Sequence, residues 1–315
     1  MKKYLLILFV GFTGFTNAQQ LALNSQYLYN EMLVNPGATG IKEYVPIQLS
    51  FRKQWVGLAG SPTTQALSAH GKIAGRMGIG GTVFNDVSGP SRRTGVSFNT
   101  AYHLRLDANN DHQLGVGIGV SFTQHAIDEN QLDTYLPDDP AITRGFNNQF
   151  VPDANAGIFY HFKDKGYVGI SGFNLVEMNR DLFDFQTVFS NPLVRTYYLF
   201  GGYNFDLGKN FGLNLSTLGQ VIETGTYQFD GTMVFEYRDI VSLGGSYRHN
   251  DAVVFMLGAK AGPMKIGYAY DYTLSDIGNY SFGSHEIFLE LQLSKEKGNN
   301  NRTPWLKRNR IYSPH

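Results

Sequence analysis

Leu114-Gly115-Val116-Gly117-Ile118-Gly119-Val120-Ser121-Phe122-Thr123 alternates without a break. Leu, Val, Ile, Val and Phe share one side of this stretch, and Gly, Gly, Gly, Ser and Thr share the other. Successive side chains of an extended strand point to opposite faces, so the decapeptide reads as one strand with an apolar and a small, polar face. The same two-faced text recurs along the chain. Val96, Phe98, Tyr102 and Leu104 oppose Ser97, Asn99, His103 and Arg105; Met264, Ile266, Tyr268, Tyr270 and Tyr272 oppose Lys265, Gly267, Ala269 and Asp271. Near the end, Ile287, Leu289, Leu291 and Leu293 oppose Glu286, Phe288, Glu290 and Gln292.

Alternation alone fits a soluble sandwich as well as a membrane barrel, because it does not say which face meets the apolar phase. Three further features favour the barrel. The strands run about 10 to 14 residues, the length of a tilted membrane-crossing strand. Aromatic residues gather near strand ends, at Tyr102, Tyr160, Phe162, Tyr197, Tyr203, Phe205, Tyr237 and Tyr247, as in interfacial girdles. The loops are asymmetric. Strands are expected over 44–56, 63–73, 76–86, 93–106, 111–125, 152–163, 166–177, 194–207, 211–220, 226–238, 240–249, 251–260, 262–273 and 284–294. Even-numbered connections are short, and the long ones, 126–151, 178–193 and 274–283, fall only at odd positions. An even strand count with short turns at one end and long loops at the other is the pattern of outer-membrane barrels, with the short turns periplasmic. The fold expected is therefore all-β, a transmembrane antiparallel β-barrel of about 14 strands.

Composition agrees. The 315 residues include 36 Gly, 23 Phe and 19 Tyr, with only 17% charged residues, zero formal charge and no Cys. Disulfides, Cys-based metal sites and lipid attachment through Cys are thereby excluded, and nothing suggests a nucleic-acid-binding surface. Residues 1–18 have the form of a cleaved secretory signal: Lys2 and Lys3, an apolar run from Leu5 to Val10, then Thr16-Asn17-Ala18. Residues 19–43 read as a short N-terminal segment at the periplasmic side, packed on or into the barrel mouth. The barrel occupies 44–294, and 295–315 form a polar, basic periplasmic tail.

The first hairpin is the most distinctive stretch: Arg52-Lys53-Gln54-Trp55-Val56-Gly57, then Gly60-Ser61-Pro62-Thr63-Thr64-Gln65 and Ser68-Ala69-His70. Gly57, Gly60 and Pro62 punctuate its turn, and Thr64, Ala66, Ser68 and His70 share the inward face.

A search for chemistry returns little. The eight His are scattered; His70, His103 and His161 fall on the inward face and His285 on the outward one. No nucleophile elbow, metalloprotease helix or phosphate loop occurs. Asp128-Glu129, Asp133 and Asp138-Asp139 form an acidic loop without calcium-loop spacing. No enzyme activity, cofactor or metal is expected. The inward charges say more. Arg52, Arg105, Glu236, Arg238, Arg248, Asp271, Glu286 and Glu290 point into the lumen on the alternation. There they form either a structural ion-pair network or a selectivity surface for a solute.

Ser25-Gln26-Tyr27 with Asn30, Asn35-Pro36 and Gly40, together with the Arg52–His70 hairpin, resembles the PorP/SprF family of type IX secretion system outer-membrane proteins. Gly37-Ala38-Thr39 departs from the family pattern, which more often has a small residue plus an aromatic there. The resemblance implies a non-enzymatic barrel in the outer membrane that binds a secreted surface protein, through an adhesin C-terminal domain, or a secretion-machinery subunit. The motif positions implied for partner binding are Gln26, Tyr27, Asn30, Asn35, Pro36, Arg52, Gln54, Trp55, Pro62, Thr64, Gln65 and His70. A passive or selective channel for small solutes is the alternative role.

Overall fold

The computed structural model describes residues 27–131, 146–163, 165–176 and 194–293. The signal, Gln26, the acidic stretch 132–145, the loop stretch 177–193 and the tail from 294 onward lie outside the described residues. Fourteen antiparallel strands close on themselves, each paired with its sequence neighbours, and the last pairs with the first. They are Val45–Lys53 (β1), Thr63–Ala74 (β2), Met77–Ser88 (β3), Ser91–Arg105 (β4), His112–Asp128 (β5), Phe146–Phe162 (β6) and Gly166–Phe173 (β7). The second half runs Thr196–Leu207 (β8), Phe211–Ile222 (β9), Tyr227–Tyr237 (β10), Val241–Arg248 (β11), Ala252–Ala261 (β12), Met264–Thr273 (β13) and Ser284–Leu293 (β14). Closure abolishes free sheet edges, which a bilayer would leave without hydrogen-bond partners.

All fourteen expected strands are present, and the bounds of four of them move by three residues or more. β1 stops at Lys53, because Trp55 takes φ +44° and leads into the turn. β5 and β6 reach Asp128 and back from Phe146, so the long loop is shorter than 126–151. β7 ends at Phe173 rather than 177.

The register places the apolar face outward. Ile118, Leu199, Phe98, Leu243 and Leu257 are among many large apolar side chains that stay exposed, while Asn99, His103, Thr232 and Ser246 face inward and are buried. This reversal of the soluble pattern is what lipid outside requires. Outward aromatics bound the apolar band at both ends. Tyr102, Tyr203, Phe205 and Tyr237 sit toward the short turns; Tyr197, Tyr227, Tyr247 and Tyr272 sit toward the long loops. In the β4–β5 turn, the Asp107 carboxylate accepts from the backbone N–H of His112 (2.8 Å) and Asp111 (3.2 Å). Those bonds hold its carboxyl below the ordinary carboxylate range.

The core lies inside the barrel and is made by the N-terminal segment, which enters the lumen rather than resting at its mouth. Three single-turn 3₁₀ helices, Tyr27–Tyr29, Glu31–Leu33 and Pro36–Ala38, cross the interior. Tyr27, Val34 and Ala38 bury against Phe159, Tyr198, Phe200 and Leu218 of the β6–β9 wall. On the opposite side the Tyr29 ring stacks on Phe288 of β14 at 5.3 Å. A cavity of about 10 Å³, lined in part by Asn30, Gln48, Ser68 and Phe288, lies between the turns and the β1–β2–β14 wall. That is room for about one water.

Candidate functional site

Two arrangements inside the barrel bring together residues that the sequence singles out. The first is the seat of the N-terminal turns. Inward glycines of β3, β5, β6 and β7 leave the wall bare, and the backbone of Asn35–Gly40 lies against it. A Cβ added at Gly78 would overlap Thr39, one at Gly115 would overlap Gly37, and one at Gly117 would overlap Pro36 and Gly37. The fit is reciprocal: a Cβ at Gly37 would come within 2.9 Å of the Gly115 carbonyl oxygen, and one at Gly40 within 2.6 Å of the Gly78 Cα. Gly40 also has φ +75°, open to glycine at no steric cost. The glycines that read in the sequence as a plain lumen face are thus a lane in which two backbones touch.

Polar side chains fasten the segment along this lane. Asn35 donates from Nδ2 to the carbonyls of Ile158 (2.9 Å) and Ile170 (3.1 Å), and its Oδ1 accepts from the Gly37 N–H at 2.7 Å. Pro36 follows at the first position of the third turn, where its missing N–H leaves no donor unsatisfied. Gly40 N–H donates to His70 Nδ1 at 2.9 Å, and His103 Nε2 donates to the Thr39 carbonyl at 2.8 Å. Asn30 Nδ2 donates to Ser68 Oγ at 2.7 Å, Ser171 Oγ donates to the Val34 carbonyl, and Tyr27 OH lies 3.4 Å from Thr232 Oγ1. Asn35 is fully buried. Asn35→Ala strands two strand carbonyls and one backbone N–H, so a loss of about 1–3 kcal/mol is expected. Urea unfolding of the refolded protein in detergent measures it.

The second arrangement is a chain of buried ion pairs across the closing seam. Arg52 on β1 donates to Glu286 on β14 (2.9 Å) and to Asp271 on β13 (2.7 Å). Arg248 on β11 reaches the same Asp271 oxygen (3.2 Å), Asp230 on β10 (3.1 Å) and Asp251 (3.3 Å). Arg52, Arg248, Asp230, Asp271 and Glu286 are each 1–3% exposed. Alternating charge along this chain pairs each buried ion with an opposite one, which is the condition for keeping ions in a water-poor interior. Asp230 escapes the sequence reading, although the alternation of Tyr227-Gln228-Phe229-Asp230 turns it inward.

The remaining candidates divide. Glu290 forms a separate group, accepting from Gln48, Gln292 and the Tyr44 hydroxyl, and Gln48 also donates to the Tyr29 carbonyl at 2.6 Å. Glu236 lies 3.9 Å from Lys265, whose ammonium sits 4.0 Å over the Tyr29 ring. Lys42 pairs with Glu31 at 3.0 Å within the N-terminal segment. Arg105 and Arg238 are corrections: neither joins the buried chain. Arg105 is exposed at the very end of β4, and Arg238 has φ +52° in the β10–β11 turn, its guanidinium against the Tyr237 ring. Strand parity points both inward, but each sits where the strand gives out.

The hairpin motif is tied mainly to its own barrel. Gln54 N–H donates to the Pro62 carbonyl (2.9 Å) and Trp55 N–H to Ser284 Oγ (3.1 Å). The Val56 N–H donates to the Gly283 carbonyl (2.8 Å), and the Val56 carbonyl accepts from the Phe282 N–H (2.7 Å). The turn thereby laps over the start of β14. Thr64 donates to Asp86 (2.6 Å), which Arg93 also engages. Gln65 points outward from the wall and is exposed on the lipid side.

Comparison with known proteins adds the following. The family described as type IX secretion system membrane protein PorP/SprF matches residues 16–291. The curated proteins contain no match. Among solved structures, the chain is similar to the Ralstonia pickettii toluene transporter TbuX, at 10% identity and TM-score 0.48, over 83% of this chain and 92% of that one. A Pseudomonas aeruginosa FadL homologue is matched at 10% identity and TM-score 0.47, over 82% and 91% of the two chains. The Acinetobacter baumannii outer membrane protein Omp33 is matched at 8% identity and TM-score 0.44, over 79% and 98%.

Proposed function

The chain belongs to the PorP/SprF family of type IX secretion system membrane proteins, and from that premise we propose that it is an outer-membrane accessory barrel that works through its surfaces. Its role is to bind a secreted surface protein, through an adhesin C-terminal domain, or a subunit of the secretion machinery, and so support secretion and attachment at the cell surface. One observation carries the reading: the chain spends its own N-terminal turns on filling the lumen, fastened to β2, β4, β6, β7 and β10 by side-chain hydrogen bonds. A barrel seated in this way offers partners its rims and loops rather than a passage. The channel alternative draws on the polar inward face, but Ser68, His70, His103, Ser171 and Thr232 there are engaged with the turns, and Arg52, Arg248, Asp230, Asp271 and Glu286 with each other.

The test is purification from native outer membranes in mild detergent, followed by mass spectrometry. A large surface protein or a secretion component is expected at near-stoichiometric amount. Removal of residues 132–145 or 177–193, which leaves the strands intact, is expected to reduce that recovery. A solitary barrel, with recovery unaffected by either deletion, contradicts the proposal.

A further inference from the structure

The end of the barrel that carries the short turns has a feature the secretion role does not use. Among the described residues, the six turns and the strand ends beside them hold Arg76, Arg105, Lys163, Lys165, Lys209, Arg238 and Lys260, against Asp107, Asp111, Asp206 and Asp239. Arg76, Arg105, Lys163, Lys209 and Arg238 are exposed. Arg76, Arg105 and Lys209 have no ion-pair partner among the described residues. Lys163, Lys165 and Lys260 are paired, with Asp111 at 3.4 Å, Asp206 at 2.8 Å and Asp239 at 2.6 Å. Near the opposite end, each cation among the described residues bonds within the protein. Lys53 donates to the Ser61 carbonyl and Thr63, Arg92 to Asn85, Arg93 to Asp86, and Arg195 pairs with Glu223.

The depth of the cations is as telling as their number. Lys163 lies 5.4 Å over the ring of Phe162 and Arg238 lies 5.2 Å over the ring of Tyr237. Both rings stand at the edge of the apolar band, in the girdle that marks the interface. Beside Arg76 and Arg105, Met77, Tyr102, Leu104 and Leu106 are likewise exposed and outward or rim-facing. Cations directly beyond a lipid-facing girdle stand in the plane of the headgroup phosphates, where each Lys or Arg attracts anionic lipid.

We propose that the short-turn rim is a cationic collar that selects anionic glycerophospholipid headgroups in the leaflet at that end of the barrel. This inference rests on the outer-membrane location, not on the partner-binding role, so either can fail alone. The collar holds the barrel at a fixed depth and orientation through headgroup phosphate.

The full mature chain, refolded into vesicles of equal phosphatidylglycerol and phosphatidylcholine, is released and weighed intact by native mass spectrometry. Retained phosphatidylglycerol is expected to exceed phosphatidylcholine by at least several-fold. The variant Arg76→Gln/Arg105→Gln/Lys209→Gln/Arg238→Gln, which leaves the Lys–Asp pairs in place, is expected to retain the two in nearly equal amounts. Circular dichroism checks that it folds; should it not, the wild-type ratio decides alone. Retention in proportion to vesicle composition by the wild type overturns the collar. So does an undiminished preference in the folded variant. Loss of a co-purifying acidic protein, with lipid preference intact, assigns the rim to a protein partner and overturns it as well.

Discussion

Arg52→Met is expected to destabilise the barrel by about 3–5 kcal/mol, the cost of leaving buried partner charges without their counter-ion. Arg52 is the link between Glu286 and Asp271, and it crosses the β1–β14 pairing that closes the sheet. Met approximates the length of its stem but neutralises nothing. Both carboxylates would stay buried at 1–2% exposure, with Arg248 still beside Asp271. Removing one charge along with it, as in Arg52→Met/Glu286→Gln, is expected to recover part of the loss, because the double change deletes a pair instead of orphaning an ion. Urea unfolding in detergent, with Gln65→Ala on the lipid face as a control within about 0.5 kcal/mol of wild type, measures each variant. An Arg52→Met midpoint indistinguishable from the control removes the seam chain from any structural role.

The second large effect is on ion flow. Gly117→Leu is expected to turn a silent barrel into a conducting one. Its side chain would enter the space held by Pro36 and Gly37, where backbone meets backbone and no flexible side chain can swing aside. The barrel wall is fixed by pairing with β4 and β6 along its length, so the N-terminal segment is what must leave its lane. The lumen then exposes Asn35's partners and the polar inward faces of β4 to β7. Planar-bilayer recordings of wild type and variant test this: no steps from wild type and clear steps from Gly117→Leu are predicted. Gly231→Ala, where nothing lies within 4 Å of an added Cβ, should behave as wild type. Conductance from the wild type at the same level as Gly117→Leu would revive the channel reading.

The two predictions also mark what the chain discloses before its structure is known. Strand number, facing and loop asymmetry are all legible, since lipid outside forces a strict two-residue period and the turns announce themselves in Gly, Asn and Asp. Parity is reliable only while a strand lasts, and this is why Arg105 and Arg238 read as lumen charges and are rim residues instead. The ion-pair chain is half legible. Parity brings Arg52, Arg248, Asp271 and Glu286 to one interior, but which acid meets which base depends on the stagger between strands, which no local pattern records. The N-terminal turns are the least legible. Tyr27 to Gly40 has no period, and its partners lie far along the chain, as for Tyr27 with Thr232 and Tyr29 with Phe288. The inward glycines of β3, β5, β6 and β7 carry the missing signal. A lumen face needs only polar or small residues, whereas glycine at 78, 115, 117, 157 and 169 is what a second chain segment at contact distance demands.

The most direct measurement uses the absence of Cys from the chain. Asn30 and Ser68 touch across the lumen at 2.7 Å, so Asn30→Cys/Ser68→Cys places two thiols on either side of the contact that seats the N-terminal turns in the barrel. With the protein in its native outer membrane, mild oxidation or a short thiol-specific bridging reagent is predicted to join the two positions in most molecules. Mass spectrometry of the digested protein would then find the N-terminal segment linked to β2. If the two positions stay unlinked, and the thiol introduced at position 30 reacts freely with a membrane-impermeant maleimide instead, the segment does not occupy the lumen and the surface-acting barrel described here is contradicted.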